Sequence, residues 1–337
     1  MNKVLHLIND SSVERGGAQK ILAKINSIES DVSKLQYKVF SKSWIKNSNS
    51  QHQRCGGKLW FIDLLILFTS FAPKLIVIHS RCYLPFVYLF RAFNTKVVFY
   101  CHADYRKKQV LFRVFKCDYY VAVSDSVRES LSQSVTSPVT VITNPVDSQV
   151  KVSTEVTTAL IFNYVGALQE WKGIDRLIHF LKQFCQDSSS PAVLNIVGDG
   201  PLAGVIESQL ENDFLKINMF GYQSAPYACL KQGAIQVIPS LEEGFGMVAV
   251  EALLNGSPVL YSNVAALSEI LVEDNFSKGF DIYEFESFQN ALKSLLIGLQ
   301  GASNSSDLLV ERSSLARRKY GYSSFKSKYV GMINKLL

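Results

Sequence analysis

Short unbroken apolar runs recur along the chain, each closed by polar or glycine-bearing residues, and longer stretches between them bring apolar side chains back every three or four positions. The short runs predict buried parallel strands at 4–8, 37–40, 75–79, 97–100, 119–123 and 139–142, then at 160–165, 193–200, 234–238 and 257–261. Helices are predicted at about 18–28, at 59–71 as a buried helix, at 104–116, 247–254 and 267–271, and at 318–337. Strands that alternate with helices mean parallel, doubly wound sheets of the α/β class. Ligands of such sheets bind where strands end and helices begin.

Three strand ends carry suggestive chemistry. Residues 239–259 read PSLEEGFGMVAVEALLNGSPV: a strand exit, a turn with Gly244 and Gly246, and an apolar helix stopping at Asn255-Gly256 before Pro258. The free N–H groups and positive end of that helix suit an anion beside Gly244 to Met247. Glu243 stands at the turn and Glu251 inside the helix, seven residues between them. An ordinary buried helix with Glu251 paired to a base accounts for the same residues. Gly16-Gly17 opens the first helix after a strand, which permits close approach to a phosphate or forms a plain turn, and GxGxxG is absent. His102 follows the strand at 97–100, a place open to a structural or a ligand-facing histidine.

Composition narrows the class. A chain of 337 residues, 47% hydrophobic and 19% charged, is long enough for two domains with cores of their own. Six cysteines without a CxxC pair indicate neither zinc nor a disulfide framework, which suits reduced thiols in a cytosol. The N-terminal apolar run is too short for a signal peptide, and the stretch 59–78 is interrupted by Asp63, Pro73 and Lys74, so no export and no membrane span are expected. Net charge is +6, but residues 1–150 hold 20 Lys and Arg against 10 Asp and Glu, whereas the remainder holds 15 against 19. A first half at +10 calls for an anionic partner. Arg106, Lys107, Arg113 and Lys116 interleave with apolar residues at helical spacing, which fits a membrane-surface helix or a core-packed helix with a solvated basic face. The candidates for the anionic partner are a membrane surface, a phosphorylated acceptor and nucleic acid; the last is the weakest and is not expected, for want of any binding motif.

The EGFG turn with its two glutamates resembles the signature of family-4 retaining glycosyltransferases. Gly166, Lys172 and Gly173 match a second family step, His102 a third, Asn144 to Asp147 a domain-ending NxVD step, and Phe220-Gly221-Tyr222 a turn over the nucleotide base. The resemblance implies the GT-B fold: two Rossmann-like domains facing each other across a cleft, with a C-terminal helix crossing back to the first. It implies an acceptor-binding domain at 1–150, a nucleotide-sugar-binding domain at 151–317 and the terminal helix at 318–337. It implies catalytic roles for Glu243, Lys172 and His102, and donor binding by Gly17, Gly166, Lys172, Gly244, Phe245, Gly246, Met247, Val248 and Glu251. Where the family carries an arginine beside the donor diphosphate this chain has Ala167, so Lys172 must carry more of the charge.

The implied activity is retaining, metal-independent transfer of a hexose or N-acetylhexosamine from a UDP-sugar to a saccharide or lipid-linked saccharide, in the cytoplasm or on the inner membrane face, as in bacterial-type surface polysaccharide synthesis. No cofactor is expected beyond the nucleotide-sugar co-substrate. No Asp-x-Asp and no metal-ligand spacing occurs in the chain. Two alternatives stand beside this: a nucleotide-sugar 2-epimerase of the same architecture, and a non-catalytic partner subunit, which Ala167 would suit.

Overall fold

The apolar runs become the strands of two all-parallel sheets, because strands covered by helices on both faces need apolar residues at every position rather than at alternate ones. The computed structural model describes residues 2–10, 17–31, 35–42, 52–54, 59–106, 109–146, 152–153, 159–208, 214–301 and 306–337. It divides into a first unit, Met1–Pro145 with Tyr322–Leu337, and a second, Val146–Gly321. The divisions expected from the sequence were 150/151 and 317/318.

The first unit contains β1 (Asn2–Ile8), β2 (Leu35–Ser41), β3 (His52–Arg54), β4 (Leu75–Ile78), β5 (Lys96–Cys101), β6 (Tyr119–Ala122) and β7 (Val139–Val141), in the order β3-β2-β1-β4-β5-β6-β7. The order reverses between β1 and β4, where Val4 lies opposite Leu75. Strand β4 is buried at all four positions. The helices are α1 (Gly17–Asp31), α2 (Trp60–Phe71), α3 (Val87–Ala92), α4 (Gln109–Val114) and α5 (Asp125–Ser132). Ser124 caps α5 by accepting the Val127 N–H at 3.2 Å, as its residue type and place suggest. The terminal helix Tyr322–Leu336 packs on this unit. Lys96 Nζ donates to the Leu336 carbonyl at 2.8 Å, and Tyr329 Oη donates to Glu29 Oε1 at 2.7 Å.

Two expectations for this unit need correction. Helix α2 is not buried all round: Leu64, Leu67, Phe68 and Phe71 face inward, but Phe61, Ile62 and Ile66 are exposed. A helix apolar on every side can still bury only the stripe that meets the sheet. The segment 104–116 yields only the six-residue α4, with Phe112 inside and Val110 and Val114 exposed, while Lys107 lies outside the described residues.

The second unit contains β8 (Ile161–Val165), β9 (Ala192–Val197), β10 (Leu215–Met219), β11 (Ile235–Ile238), β12 (Val259–Ser262) and β13 (Ser277–Phe280), ordered β10-β9-β8-β11-β12-β13. Its helices are α6 (Ile174–Ser188), α7 (Ala203–Glu207), α8 (Met247–Leu254), α9 (Ala265–Ser268), α10 (Phe285–Gly301) and α11 (Ser306–Tyr320). Strand β13 and helix α10 lie beyond the elements read from the sequence, although Phe288, Ala291, Leu292, Leu295 and Leu299 give α10 an inward face of helical period. The helix expected at 267–271 is the shorter α9, and the one expected at 318–337 is split by Gly321, whose N–H closes α11 on the Arg317 carbonyl at 2.9 Å. Strand order reverses between β8 and β11, and the carboxyl ends of two such strands are where ligands of doubly wound sheets bind.

Candidate active site

The loops that leave β8 and β11 are both shaped by glycine. After β8 the chain passes Gly166 and Ala167, makes a single 3-10 turn at Glu170–Lys172, and enters α6 through Gly173 at φ 67°. A β-carbon on Gly173 would lie 2.0 Å from the Pro239 carbonyl oxygen, so the Lys172 turn presses directly on the end of β11. The Leu241 N–H then donates to the Trp171 carbonyl at 2.9 Å and ties the two loops together. After β11 the chain runs through Pro239 to Gly246, which stands at φ 92° before the first residue of α8.

This backbone brings two predicted residues together. Lys172 Nζ forms an ion pair with Glu243 Oε1, and both side chains are largely shielded, at 17% and 12% exposure. Ser240 Oγ donates to the same carboxylate oxygen at 3.0 Å, and the Lys172 ammonium lies 4.5 Å from the centre of the Trp171 ring. Tyr164, on β8, donates its hydroxyl to the Ala167 carbonyl at 2.9 Å. Burial, with the charges of Glu243 and Asp175 adding to it, raises that phenol well above its usual value.

The remaining predicted residues of this unit follow in order. Phe245 turns its ring into the interior, edge-on to Tyr320 at 5.6 Å, so what it offers a ligand is backbone. Met247 and Val248 begin α8, and their N–H groups have no acceptor within the helix. Glu251 is half-buried farther along α8. Burial, and after it the charge of Glu251, raises the Tyr227 phenol, whose hydroxyl sits 3.5 Å from the Val248 carbonyl. Ser240, Tyr164 and Tyr227 escaped the reading of the sequence, since a serine or tyrosine at a strand end has no spacing signal of its own.

Gly17 and His102 belong to the first unit. Gly17 is the exposed first residue of α1, and Gly16 lies outside the described residues. His102 follows β5, stacked on Tyr100 with ring centres 4.6 Å apart. Its Nε2 meets His79 Nδ1 at 2.9 Å, and its Nδ1 is buried with no hydrogen-bond partner. Burial lowers its pKa to about 3. Among the described residues no group of three or more His, Cys, Asp or Glu is arranged to hold a metal ion, and no helix is long and apolar enough to cross a membrane.

Sheet order and paired loops together define an α/β protein of two doubly wound units. Residues 146–299 match the family described as glycosyl transferases group 1, and residues 46–150 match glycosyltransferase family 4. The chain belongs to the family-4 glycosyltransferases, and its fold is GT-B. Among curated proteins, a GDP-mannose-dependent α-(1-6)-phosphatidylinositol dimannoside mannosyltransferase of Mycobacterium tuberculosis is 32% identical over 121 residues, 35% of this chain and 31% of that protein. The chain spans less than half the length of the curated relatives it matches first. Sucrose-phosphate synthase from Thermosynechococcus elongatus shares the fold over 100% of this chain and 99% of its own, with a TM-score of 0.82 at 15% identity. Anabaena HepE, solved with UDP and glucose, does so over 99% and 100%, with a TM-score of 0.75 at 15% identity.

Proposed function

We propose that the protein is a retaining glycosyltransferase that moves a hexose or N-acetylhexosamine from a UDP-sugar to a saccharide or lipid-linked saccharide acceptor, without a metal ion, in surface polysaccharide synthesis. The observation that carries this reading is the Lys172–Glu243 pair at the carboxyl ends of β8 and β11, beside the first turn of α8. Breaking a glycosidic bond to a diphosphate builds positive charge on the sugar ring and negative charge on the departing oxygens. Lys172 and the N–H groups of Met247 and Val248 are the donors this chain offers to those oxygens. A diphosphate competes with Glu243 for Lys172 because it brings more negative charge to the same place. As the ammonium turns to the diphosphate, the Glu243 carboxylate is released to accept hydroxyls of the sugar and to face its developing charge. Glu251 is proposed to hold the ribose hydroxyls. Ala167 lacks the cation that its place carries elsewhere in the family, so this chain relies more heavily on Lys172 and the helix end.

The test is release of nucleotide from a panel of UDP- and GDP-sugars by the purified chain, with the nucleotide and the sugar product identified. Slow hydrolysis of a UDP-sugar with the α-configured product supports the reading. Release of GDP alone corrects the base, as the relative from M. tuberculosis allows. Epimerised nucleotide sugar, or no turnover with any donor, overturns it.

The acceptor side is proposed to work at an anionic membrane face. On the first unit, α2 exposes Phe61, Ile62 and Ile66, and α3 with its end exposes Tyr88, Leu89 and Phe93. The two surfaces adjoin through Phe68 and Phe93, whose ring centres are 5.5 Å apart. Tyr88 Oη donates to the Val114 carbonyl, which joins α4 with its exposed Val110 and Val114 to the same surface. Arg91 and Arg113 stand along it, and each base near a charged bilayer contributes about 1 kcal/mol. Arg91 and Arg106 are already paired, with Asp118 at 3.1 Å and with Asp104 at 2.6 Å, so Arg113 carries more of the attraction. Insertion of apolar side chains therefore joins the electrostatic attraction expected from the sequence. Liposome sedimentation checks this: binding that prefers anionic lipid, weakens in salt and drops sharply in Ile66→Glu is expected, and indifference to both changes sinks it.

A further inference from the structure

A line of four polar side chains crosses the first unit, three of them buried and the fourth, His102, partly so, and the transfer chemistry above uses none of them. Glu29, on α1, is 1% exposed. Its Oε1 accepts the Tyr329 hydroxyl at 2.7 Å and its Oε2 meets His6 Nε2 at 2.9 Å. His6, within β1 and 0% exposed, reaches His79 Nε2 through Nδ1 at 3.1 Å. His79, just past β4, reaches His102 Nε2 through Nδ1 at 2.9 Å. Tyr100 stacks on both His79 and His102, holding their rings 23° from coplanar. The line ends at His102 Nδ1, a buried nitrogen without a partner at the carboxyl end of β5.

Each link restricts the next. A carboxylate has only acceptor atoms, so His6 Nε2 must carry the hydrogen that faces Glu29. A neutral imidazole carries one hydrogen, which leaves His6 Nδ1 as a lone pair and obliges His79 Nε2 to donate to it. By the same rule His79 Nδ1 is a lone pair, and His102 Nε2 donates to it. The one nitrogen left over, His102 Nδ1, is then a lone pair.

We propose that Glu29, acting through His6 and His79, fixes the tautomer of His102 so that its Nδ1 is a hydrogen-bond acceptor, matched to a hydroxyl or N–H group of the substrate and mismatched to a phosphate or carbonyl oxygen. Glu29, His6 and His79 are positioning residues, and His102 is the group that meets the ligand. The ligand half of the proposal rests on the sugar-transfer reading; the tautomer half does not. Burial supports the neutral rings that the argument requires, since it lowers the pKa of His79 well below the usual histidine value, the neighbouring His102 and His6 adding to the effect, and lowers that of His102 as well.

The experiment is ¹⁵N-detected NMR of the histidine side chains in the full chain at pH 8 without ligand, where the two ring nitrogens report directly which one holds the hydrogen. The expected result is His102 as the Nε2–H tautomer with an unprotonated Nδ1, and His79 and His6 in the same sense. Removing both polar groups at the head of the line, Glu29→Leu with Tyr329→Phe, should move the His102 Nδ1 signal toward that of a tautomer mixture. The same variant should lower kcat/KM for UDP-sugar hydrolysis about 10-fold, the loss of one oriented hydrogen bond. A wild-type His102 with hydrogen on Nδ1, as a His6 imidazolium would impose, overturns the proposal without need of any variant. So does an unchanged His102 signal in the folded double variant. The expected tautomers in a chain that turns over no nucleotide sugar leave the relay standing and overturn the transfer reading; the reverse pairing does the opposite.

Discussion

The polar centre of the second unit and that of the first are both built at strand ends, yet they are held in place by different means. In the second, Lys172 and Glu243 meet because Gly173 lets one loop lie against Pro239 and because the Leu241 N–H locks that loop to its neighbour. Backbone does the positioning, and the two charges remain free to exchange partners. In the first, Glu29, His6, His79 and His102 are fixed by one another and by the packing around β1, β4 and β5, and none of them can turn without breaking a hydrogen bond of the line. A site that must trade a carboxylate for a diphosphate suits the first kind of support. A site that must present one atom in one hydrogen-bonding sense suits the second.

The sharpest way to break the comparison is to remove charge from the exchangeable pair while keeping its shape. Glu243→Gln should cut turnover about 10²–10³-fold, the usual cost of losing an oriented electrostatic group at the reacting centre, with nucleotide affinity close to wild type by calorimetry. A parallel loss in affinity would mean that Glu243 organises the nucleotide site instead. Next comes the backbone that holds the pair. Gly173→Ala forces a β-carbon into the Pro239 carbonyl at a left-handed φ and should cost on the order of 3 kcal/mol in urea unfolding. A much smaller change would show that the Lys172 turn shifts freely.

The first unit predicts an acid response instead. His102 is neutral in the fold down to about pH 3, whereas in the unfolded chain an ordinary histidine takes a proton near pH 6.5. The unfolded state thus binds more protons between those values, and stability must fall as pH drops through 6.5 and level off below about 3. At pH 5 the loss should be about 2 kcal/mol for such a histidine, read as the urea midpoint against pH, and His102→Gln should flatten the curve. His79 and His6, hydrogen-bonded in the same line, are to be substituted in parallel. The smallest expected effect is that of Glu251→Gln, about a tenfold weaker affinity for UDP with turnover of bound donor little changed, measured by calorimetry and single-turnover kinetics.

Which of these residues could be recognised beforehand depended on whether their signal was local. The EGFG turn and the helix from Met247 to Leu254 were legible because glycines and an apolar period act over a few positions. Pairing of Glu243 with Lys172, 71 residues apart, needed the adjacency of β8 and β11. His6 and His79 each left a faint mark, one polar residue in or at the end of an apolar run, but nothing in the spacing says that β1 and β4 are neighbours and bring two ring nitrogens to 3.1 Å. Helix α2 misled in the other direction, since an all-round apolar composition does not reveal which stripe meets the sheet. By itself the sequence determined the α/β class, most of the strands, the glycine turns and the charge of each half, all of them set by short-range propensity or plain composition. Only the tertiary structure decided the strand order, the Lys172–Glu243 pair, the exposed face of α2 and the line from Glu29 to His102, because each depends on which distant segments the sheets lay side by side.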